Sequence, residues 1–432
     1  MKYRQKIVIT FFVVMIIVMT MLKTPATDTT LVRKNVVDLT AQEKSDFVNA
    51  VKTLKTIPGT NSKNVSLYDE FVAIHNGAMT FTTMHLGGLV TLPQDTPPTG
   101  PAAGIDAAHE HGGFLPWHRE YLSRLEKALQ SVNPKVTLPY WDWSDPRSVD
   151  VIFDPNFLGA NGSGDFINLS NGGQLQGGRV QSGNFSEANG WTLIPDLHTR
   201  ISTAETLGTS LIRYLPPESA PGVLGFPLDK AQTDRILQSK DYKTFQLFVE
   251  GQIIVDANGV EQRCEREPCN HNLVHALLDG TLENPSAPGP SLRSSLNNVP
   301  ASPNDPVFWL LHANVDRLWA EWQKNGRRGS EFYAVPGTEP YGHNLNDRMW
   351  PWDGGDSIPG SVGSIDIRPY LPVIAPDDIV RPIDALGVRK YGYIYDTLVK
   401  PVSKTSSTFR LLGLGALGAA FLLWRKRSYL PL

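Results

Sequence analysis

The 432 residues carry 40 Lys and Arg against 43 Asp and Glu, a net charge of −3, with 41% hydrophobic and 19% charged residues. That balance is globular rather than disordered, and it leaves no basic footprint for nucleic acid. The 37 glycines and 33 prolines point to a loop-rich body, and two cysteines, Cys264 and Cys269, are too few for a disulfide framework.

Met1–Lys6 is basic and Ile7–Leu22 is an apolar run without charge, the pattern of an export leader. Thr24-Pro25-Ala26 is a poor cleavage site, so an uncleaved anchor is the alternative. Residues 27–38 read as a linker. Thr40-Ala-Gln-Glu43 has the form of a capping box, ahead of a helix presenting Phe47, Val48, Val51 and Leu54 and ended by Pro58-Gly59. A second helix, from about Ser66 to Met79, places Leu67, Phe71, Ile74, His75 and Ala78 on one face. Residues 89–104 are Pro/Gly-rich loop. His109 stands on an irregular segment, and His118 opens a third helix with apolar Leu122, Leu125, Ala128 and Leu129, Pro116 lying just upstream. Leu138-Pro-Tyr-Trp-Asp-Trp143 is a compact aromatic packing segment. Residues 145–225 lack periodicity and read as irregular loops. Helix returns over 231–250, and 252–270 is a polar excursion holding both cysteines. Asp305-Pro306 supplies a cap and first turn for a helix running to about Gln323. Residues 330–400 hold short strand-like runs ending in Tyr391-Gly-Tyr-Ile-Tyr395. Leu411–Trp424 is apolar and is closed by Arg425-Lys426-Arg427, which reads as an anchor or sorting tail with its basic cluster cytoplasmic. The expected organisation is a leader or anchor in 1–30, one domain in 35–400, and a linker with a hydrophobic tail in 401–432. The body is expected to be exported and membrane-tethered on the extracytoplasmic side.

Ten histidines occur, at 75, 85, 109, 111, 118, 198, 271, 275, 312 and 343. His271-Asn-Leu-Val-His275 puts two imidazoles one helical turn apart on one face, without the Glu of a zinc-protease motif. His312 shares its helix face with Val315, Leu318, Trp319 and Trp322, and Asp316, one turn on, is a candidate carboxylate partner for its ring. Standing alone, His312 would read as a hydrogen-bonded core histidine. Six imidazoles in two groups (75, 109, 118 and 271, 275, 312), with no thiolate or carboxylate ligand, suit copper over calcium or magnesium, with zinc and iron still allowed. Two ions held near each other would bind dioxygen between them.

Tyr68-Asp-Glu-Phe-Val-Ala-Ile-His75, His109-x8-His118 within Phe-Leu-Pro-Trp-His-Arg, Leu138-Pro-Tyr-Trp-Asp-Trp143, His271-Asn-Leu-Val-His275 and Asn304-Asp-Pro-Val-Phe-Trp-Leu-Leu-His312-Ala-Asn-Val-Asp316-Arg-Leu-Trp319 occur in that order. Together they resemble bacterial tyrosinases, type-3 dicopper phenol oxidases, over about residues 35–397. The resemblance implies a mainly α fold: a four-helix bundle around a dinuclear copper site, with long irregular loops and a few short strands. It assigns His75, His109 and His118 to one copper and His271, His275 and His312 to the other. His85 competes for the first position, and the Phe-Val-x-x-His context favours His75. The implied activity uses dioxygen to hydroxylate monophenols and to oxidise o-diphenols to o-quinones. Small phenols or catechols are the implied substrates, and a copper-delivery protein is a candidate partner. A Glu before the second-copper motif and the Asn after its first histidine would hold a water that takes the phenol proton. Glu250, in Phe-Val-Glu-Gly, and Asn272 fit, although the 252–270 insertion separates Glu250 from His271; otherwise Glu250 is an exposed helix-end carboxylate.

His111 is expected in a supporting or exposed position, and His198 and His343 on the surface or in loops. Three positions depart from the family pattern. Leu311 stands where a second histidine is usual, Ala276 is small at the pocket mouth, and Ala107 is not the cysteine that fungal and plant members crosslink. Cys264 and Cys269 form either a tight disulfide or two thiols. Within copper chemistry, the alternative is a catechol oxidase or o-aminophenol oxidase without monophenol activity. From other classes, the alternatives are a haemocyanin-like dioxygen carrier and a surface-anchored module with vestigial histidines.

Overall fold

The computed structural model describes residues 30–83, 106–168, 174–200, 205–215, 228–256, 258–264, 269–277, 294–357, 359, 361–362 and 365–399. The segments expected to be a leader or anchor and a hydrophobic tail, and His85, lie outside the described residues. Described residues up to 397 belong to one compact unit; of the second unit, 398–432, only 398 and 399 are described. Among the described residues no helix is long and apolar enough to cross a membrane.

The architecture is mainly helical. Helix α1 (Ala41–Leu54) starts on the capping box read from the sequence: Thr40 accepts from the Glu43 amide, and the Glu43 carboxylate accepts from the Thr40 amide. It buries Phe47, Val48, Val51 and Leu54. Helix α2 (Leu67–Thr83) continues a turn past its predicted end. Helix α3 (Phe114–Val132) begins a turn before His118 rather than at it. Pro116 falls inside that first turn, where its missing N–H has no helical acceptor to lose. Helix α4 (Ser148–Ile152) is a single short piece. The helix expected over 231–250 is two, α5 (Lys230–Leu237) and α6 (Tyr242–Glu250), because Asp241 turns its carboxylate onto the Thr244 amide and caps a new start. Helices α7 (Asn270–Leu277) and α8 (Val307–Lys324) complete the α-helices among the described residues. At the start of α8, Pro306, expected in the first turn, is itself the cap residue, and Asp305 just before it accepts from the Val307 amide at 3.1 Å.

Two stretches read as irregular are paired strands. Leu31–Arg33, expected to be linker, pairs in parallel with Tyr393–Tyr395. Its Arg33 side chain is fully buried, with the guanidinium on Glu126 at 2.8 Å and Asp316 at 3.3 Å. Three residues pairing across the length of the chain leave no local periodicity to read. Within 145–225, Ser163–Asn168 and Gln174–Arg179 form an antiparallel ribbon joined by Ile212–Arg213. Its core consists of Leu175 and Tyr214 with Ile167 and Ile212 against them, too few apolar side chains to alternate visibly. The cysteine excursion is the hairpin Ile253–Val255 with Glu261–Arg263, closed by a Cys264–Cys269 disulfide.

The main core surrounds α3 and α8, whose Trp117, Trp309, Trp319 and Trp322 are at most 1% exposed. One buried carboxylate ties these helices to the paired termini. Asp316 accepts from Arg119 Nε at 2.5 Å and from the hydroxyls of Tyr393 and Tyr395, each at 2.6 Å, beside the contact with Arg33. Arg33 also lies 3.5 Å over the Tyr393 ring. This network sits one turn beyond His312 and fixes the register of α8 against α3.

Candidate metal centre

His75 projects from the middle of α2 and His118 from the first turns of α3, while His109 arrives on the irregular loop between those helices. All three are buried, and their ligand-capable nitrogens lie within 4.8 Å of one another. Each ring is aimed by its Nδ1–H: His75 donates to the Pro300 carbonyl at 3.0 Å, His118 to the Phe114 carbonyl at 2.9 Å, and His109 to the Asp106 carboxylate at 3.0 Å. With Nδ1 carrying the proton, Nε2 is a bare lone pair. All three Nε2 atoms are buried and have no hydrogen-bond partner.

The second group stands on α7 and α8. His271 and His275 share one face of α7, and His312 faces them from α8; these three again gather within 4.8 Å. His275 donates Nδ1–H to the Leu296 carbonyl at 2.9 Å, and His271 shares its own between the Glu250 carbonyl at 3.2 Å and Asn272 Oδ1 at 3.0 Å. Their Nε2 atoms then point at each other: His271 to His275 at 3.1 Å and His271 to His312 at 3.2 Å. The sequence suggested Asp316 as partner for His312. That expectation is corrected: the Asp316 carboxylate is spent on Arg33, Arg119, Tyr393 and Tyr395, and His312 Nδ1 has no hydrogen-bond partner. Packing holds His312 instead, stacked on His118 at 4.2 Å and 11° and against Phe308 at 4.1 Å. The two groups therefore share a wall.

Buried acceptor nitrogens without donors each cost about 1–3 kcal/mol, and lone pairs 3 Å apart repel. A cation at each focus removes both penalties. The pattern in which one ring nitrogen donates to a carbonyl or carboxylate while the other stays bare is the usual arrangement around a metal, so the residues fit a pair of transition-metal ions. Protonation is opposed by burial and by the neighbouring rings. Burial holds His75 at about 3 and His275 at about 4, and pushes His118, His271 and His312 well below the usual histidine value. His109 goes the other way: burial lowers it, but the Asp106 carboxylate outweighs burial and raises it.

The common central domain of tyrosinase matches residues 65–325, more than half of the chain. The chain belongs to the tyrosinase family. The tyrosinase of Streptomyces glaucescens is 36% identical over 325 residues, 74% of this chain and 92% of that one. That of Streptomyces antibioticus is 32% identical over 333 residues, 77% of this chain and 95% of that one. The structure of a polyphenol oxidase from Thermothelomyces thermophila, 20% identical, aligns with a TM-score of 0.49 over 85% of this chain and 89% of that chain. On the family match and the Streptomyces relatives, the protein is a type-3 dicopper oxidase of the tyrosinase kind.

The remaining family expectations meet the geometry as follows. Glu250 ends α6 and is 1% exposed, not a solvated helix-end carboxylate. The insertion does not part it from His271, because the hairpin returns to its own origin. Gly251, left-handed at φ +103°, would set a Cβ 2.0 Å from the Cys269 carbonyl oxygen and 3.1 Å from Asn272 Cβ; only glycine fits there. Glu250 Oε1 accepts from the Glu110 amide at 2.6 Å, and Gln246 donates to Oε2. Its carboxylate thus lies beside His109 while its carbonyl lies on His271. Burial pushes the Glu250 carboxyl up to about 7, against the opposing Glu110 amide and His109. Asn272 sits on the His271 ring. Leu311 is fully buried, and Ala276 is 6% exposed.

Sequence reasoning missed Asp106, Gln246 and His343. Asp106 had a readable signal, a carboxylate three residues before a ligand-class histidine. His343 and His198, expected on the surface or in loops, stand in loops but are each 0% exposed. His198 bonds the Gly208 carbonyl at 2.8 Å and Ser295 Oγ at 3.0 Å, a core role away from both groups. His111 is partly exposed, 3.5 Å from Glu339.

Proposed function

We propose that His75, His109 and His118 hold one copper ion and His271, His275 and His312 the other, and that the enzyme hydroxylates small monophenols and oxidises o-diphenols to o-quinones. The observation that carries this reading is the convergence of buried Nε2 atoms in two facing groups, partnerless at His75, His109 and His118 and turned on one another at His271, His275 and His312. Copper bound there would supply the dioxygen chemistry, two-electron oxidation of catechols and ortho-hydroxylation of phenols. The chain's own part is to hold six neutral imidazoles in place before substrate arrives and to move the phenolic proton. Phenols are weak acids, with pKa near ~10, so a monophenol needs an acceptor that a catechol needs less. Glu250, buried and held near neutrality, is that acceptor, through a water that Asn272 helps to place. Phe308, packed between His75 and His312, keeps bulk water from the shared wall.

The body is exported and tethered to the extracytoplasmic face of a membrane by its terminal apolar segments. A Cys264–Cys269 disulfide supports an oxidising compartment. Paired oxygen-uptake assays on a monophenol and the matching catechol test the activity. Turnover of both is expected; turnover of the catechol alone would reduce the reading to a catechol oxidase, and reversible oxygenation without turnover would replace it with a carrier.

A further inference from the structure

Of the three histidines in the first group, His75 and His118 inherit their positions from helices. His109 does not. Its loop runs from Asp106 to Gly113 and passes through Glu110 in a left-handed conformation, φ +66°, so something outside the loop must set its shape. The Asp106 carboxylate folds the first part: it accepts from the Ala108 amide at 2.8 Å, the His109 amide at 3.1 Å and the His109 ring at 3.0 Å. That aims His109 relative to Asp106, and the loop is tied to α2 by the Ala107 amide on the Ala78 carbonyl at 3.1 Å and to α6 by the Glu110 amide on Glu250.

His343 adds a further tie. The Gly113 amide donates to His343 Nδ1 at 3.2 Å, which fixes the tautomer, and His343 Nε2–H donates to the Asp106 carbonyl at 2.9 Å. One ring therefore clasps both ends of the loop. A Cβ on Gly113 would lie 2.4 Å from His343 Nδ1, so that residue has room for nothing larger than glycine. His343 is held in turn by Tyr333, whose hydroxyl donates to its carbonyl at 2.8 Å. Neither nitrogen of His343 points into the metal centre, and both are in use.

We propose that His343, acting through Asp106, is a positioning residue for His109 and sets the affinity of the first metal position without touching the metal. The inference rests on the reading of the two histidine groups as metal positions. Removing such a supporting partner typically lowers metal affinity about 10–100-fold. The test is a titration of the full chain with Cu(I) against a competing chelator, for the parent, His343→Leu, His343→Gln, His343→Asn and Asp106→Asn. The parent should bind two ions. His343→Leu should bind one of them about 10–100-fold more weakly and the other unchanged. Glutamine, which keeps a donor and an acceptor, should recover most of the loss. Asp106→Asn, which keeps an acceptor for the two backbone amides but loses the charge, should weaken the same single ion; if His343→Leu does not fold, His343→Asn, too short to reach both loop ends, carries the test. Equal affinities for both ions in the folded variants, or a parallel loss at both, would overturn the positioning role. Failure of the parent to bind would bring down the metal reading itself, and this inference with it.

Discussion

At the scale of single residues, Glu250 and His198 show how burial gives a titratable group its role. Glu250 is enclosed but bonded on both oxygens, by the Glu110 amide and by Gln246, so glutamine fits its space once Gln246 turns its partnerless Oε1 to the new NH2, and the carboxylate is lost. Glu250→Gln should lower monophenol turnover by about 100-fold or more, the scale of general-base catalysis. Catechol turnover and copper content should change little. Equal losses on both substrates would mean that Glu250 serves the fold instead. His198 lies away from the metal centre, and burial holds it at about 4 despite the bond to Gly208. Its unfolded value is near 6.5. Because the folded-state value is depressed, its contribution is complete above pH 6.5 and is lost as pH falls toward 4. Urea unfolding between pH 7.5 and 5 should fall more steeply for the parent than for His198→Gln, by about 2 kcal/mol across the range. Parallel curves would contradict this.

At the scale of elements, α3 and α8 carry a histidine of each group and are locked by buried charge. Asp316 faces Arg33 and Arg119, each with a fully buried side chain. Asp316→Ala would leave Arg119 buried without a carboxylate and Arg33 with Glu126 alone, at about 3–5 kcal/mol by urea unfolding. Asp234→Ala, which removes the exposed Lys230 pair on α5, should cost less than about 0.5 kcal/mol. Comparable losses in the two variants would refute the buried network as the lock. These helices were legible in the sequence because their signals are local: a capping box at Thr40, an Asp-Pro start at Asp305, histidines four apart on α7. Asp316 was legible as important but assigned to the wrong partner, since nothing nearby in sequence announces Tyr393, Tyr395 or Arg33. The strand at Leu31 and the ribbon at Ser163 were missed for the same reason: one is three residues long with a distant partner, and the other is built on glycines. The burial of His343 was not legible because its partners are backbone groups of a loop 230 residues earlier, and backbone acceptors leave no residue-type trace.

At the scale of the whole molecule, segments distant in the chain converge on one centre. The stretch from Leu296 to Pro300 supplies the carbonyls that orient His275 and His75, one ring of each group. The hairpin at 253–263 leaves Glu250 and delivers His271 back beside it. A centre assembled this way loads only in the folded chain, so copper should raise the unfolding midpoint, and a chelator should reverse the rise. If the terminal apolar segments tether an exported body, the protein should fractionate with membranes and be open to protease added outside intact cells. Recovery in the cytosolic fraction would exclude that placement.

The central claim is that two groups of three imidazoles each hold one ion. Copper content per chain, measured by elemental analysis on the purified protein and on His118→Ala and His275→Ala variants, tests it most directly. Two ions are expected in the parent and about one in each variant. Well under two in the parent, or variants that retain the parental content, would contradict it.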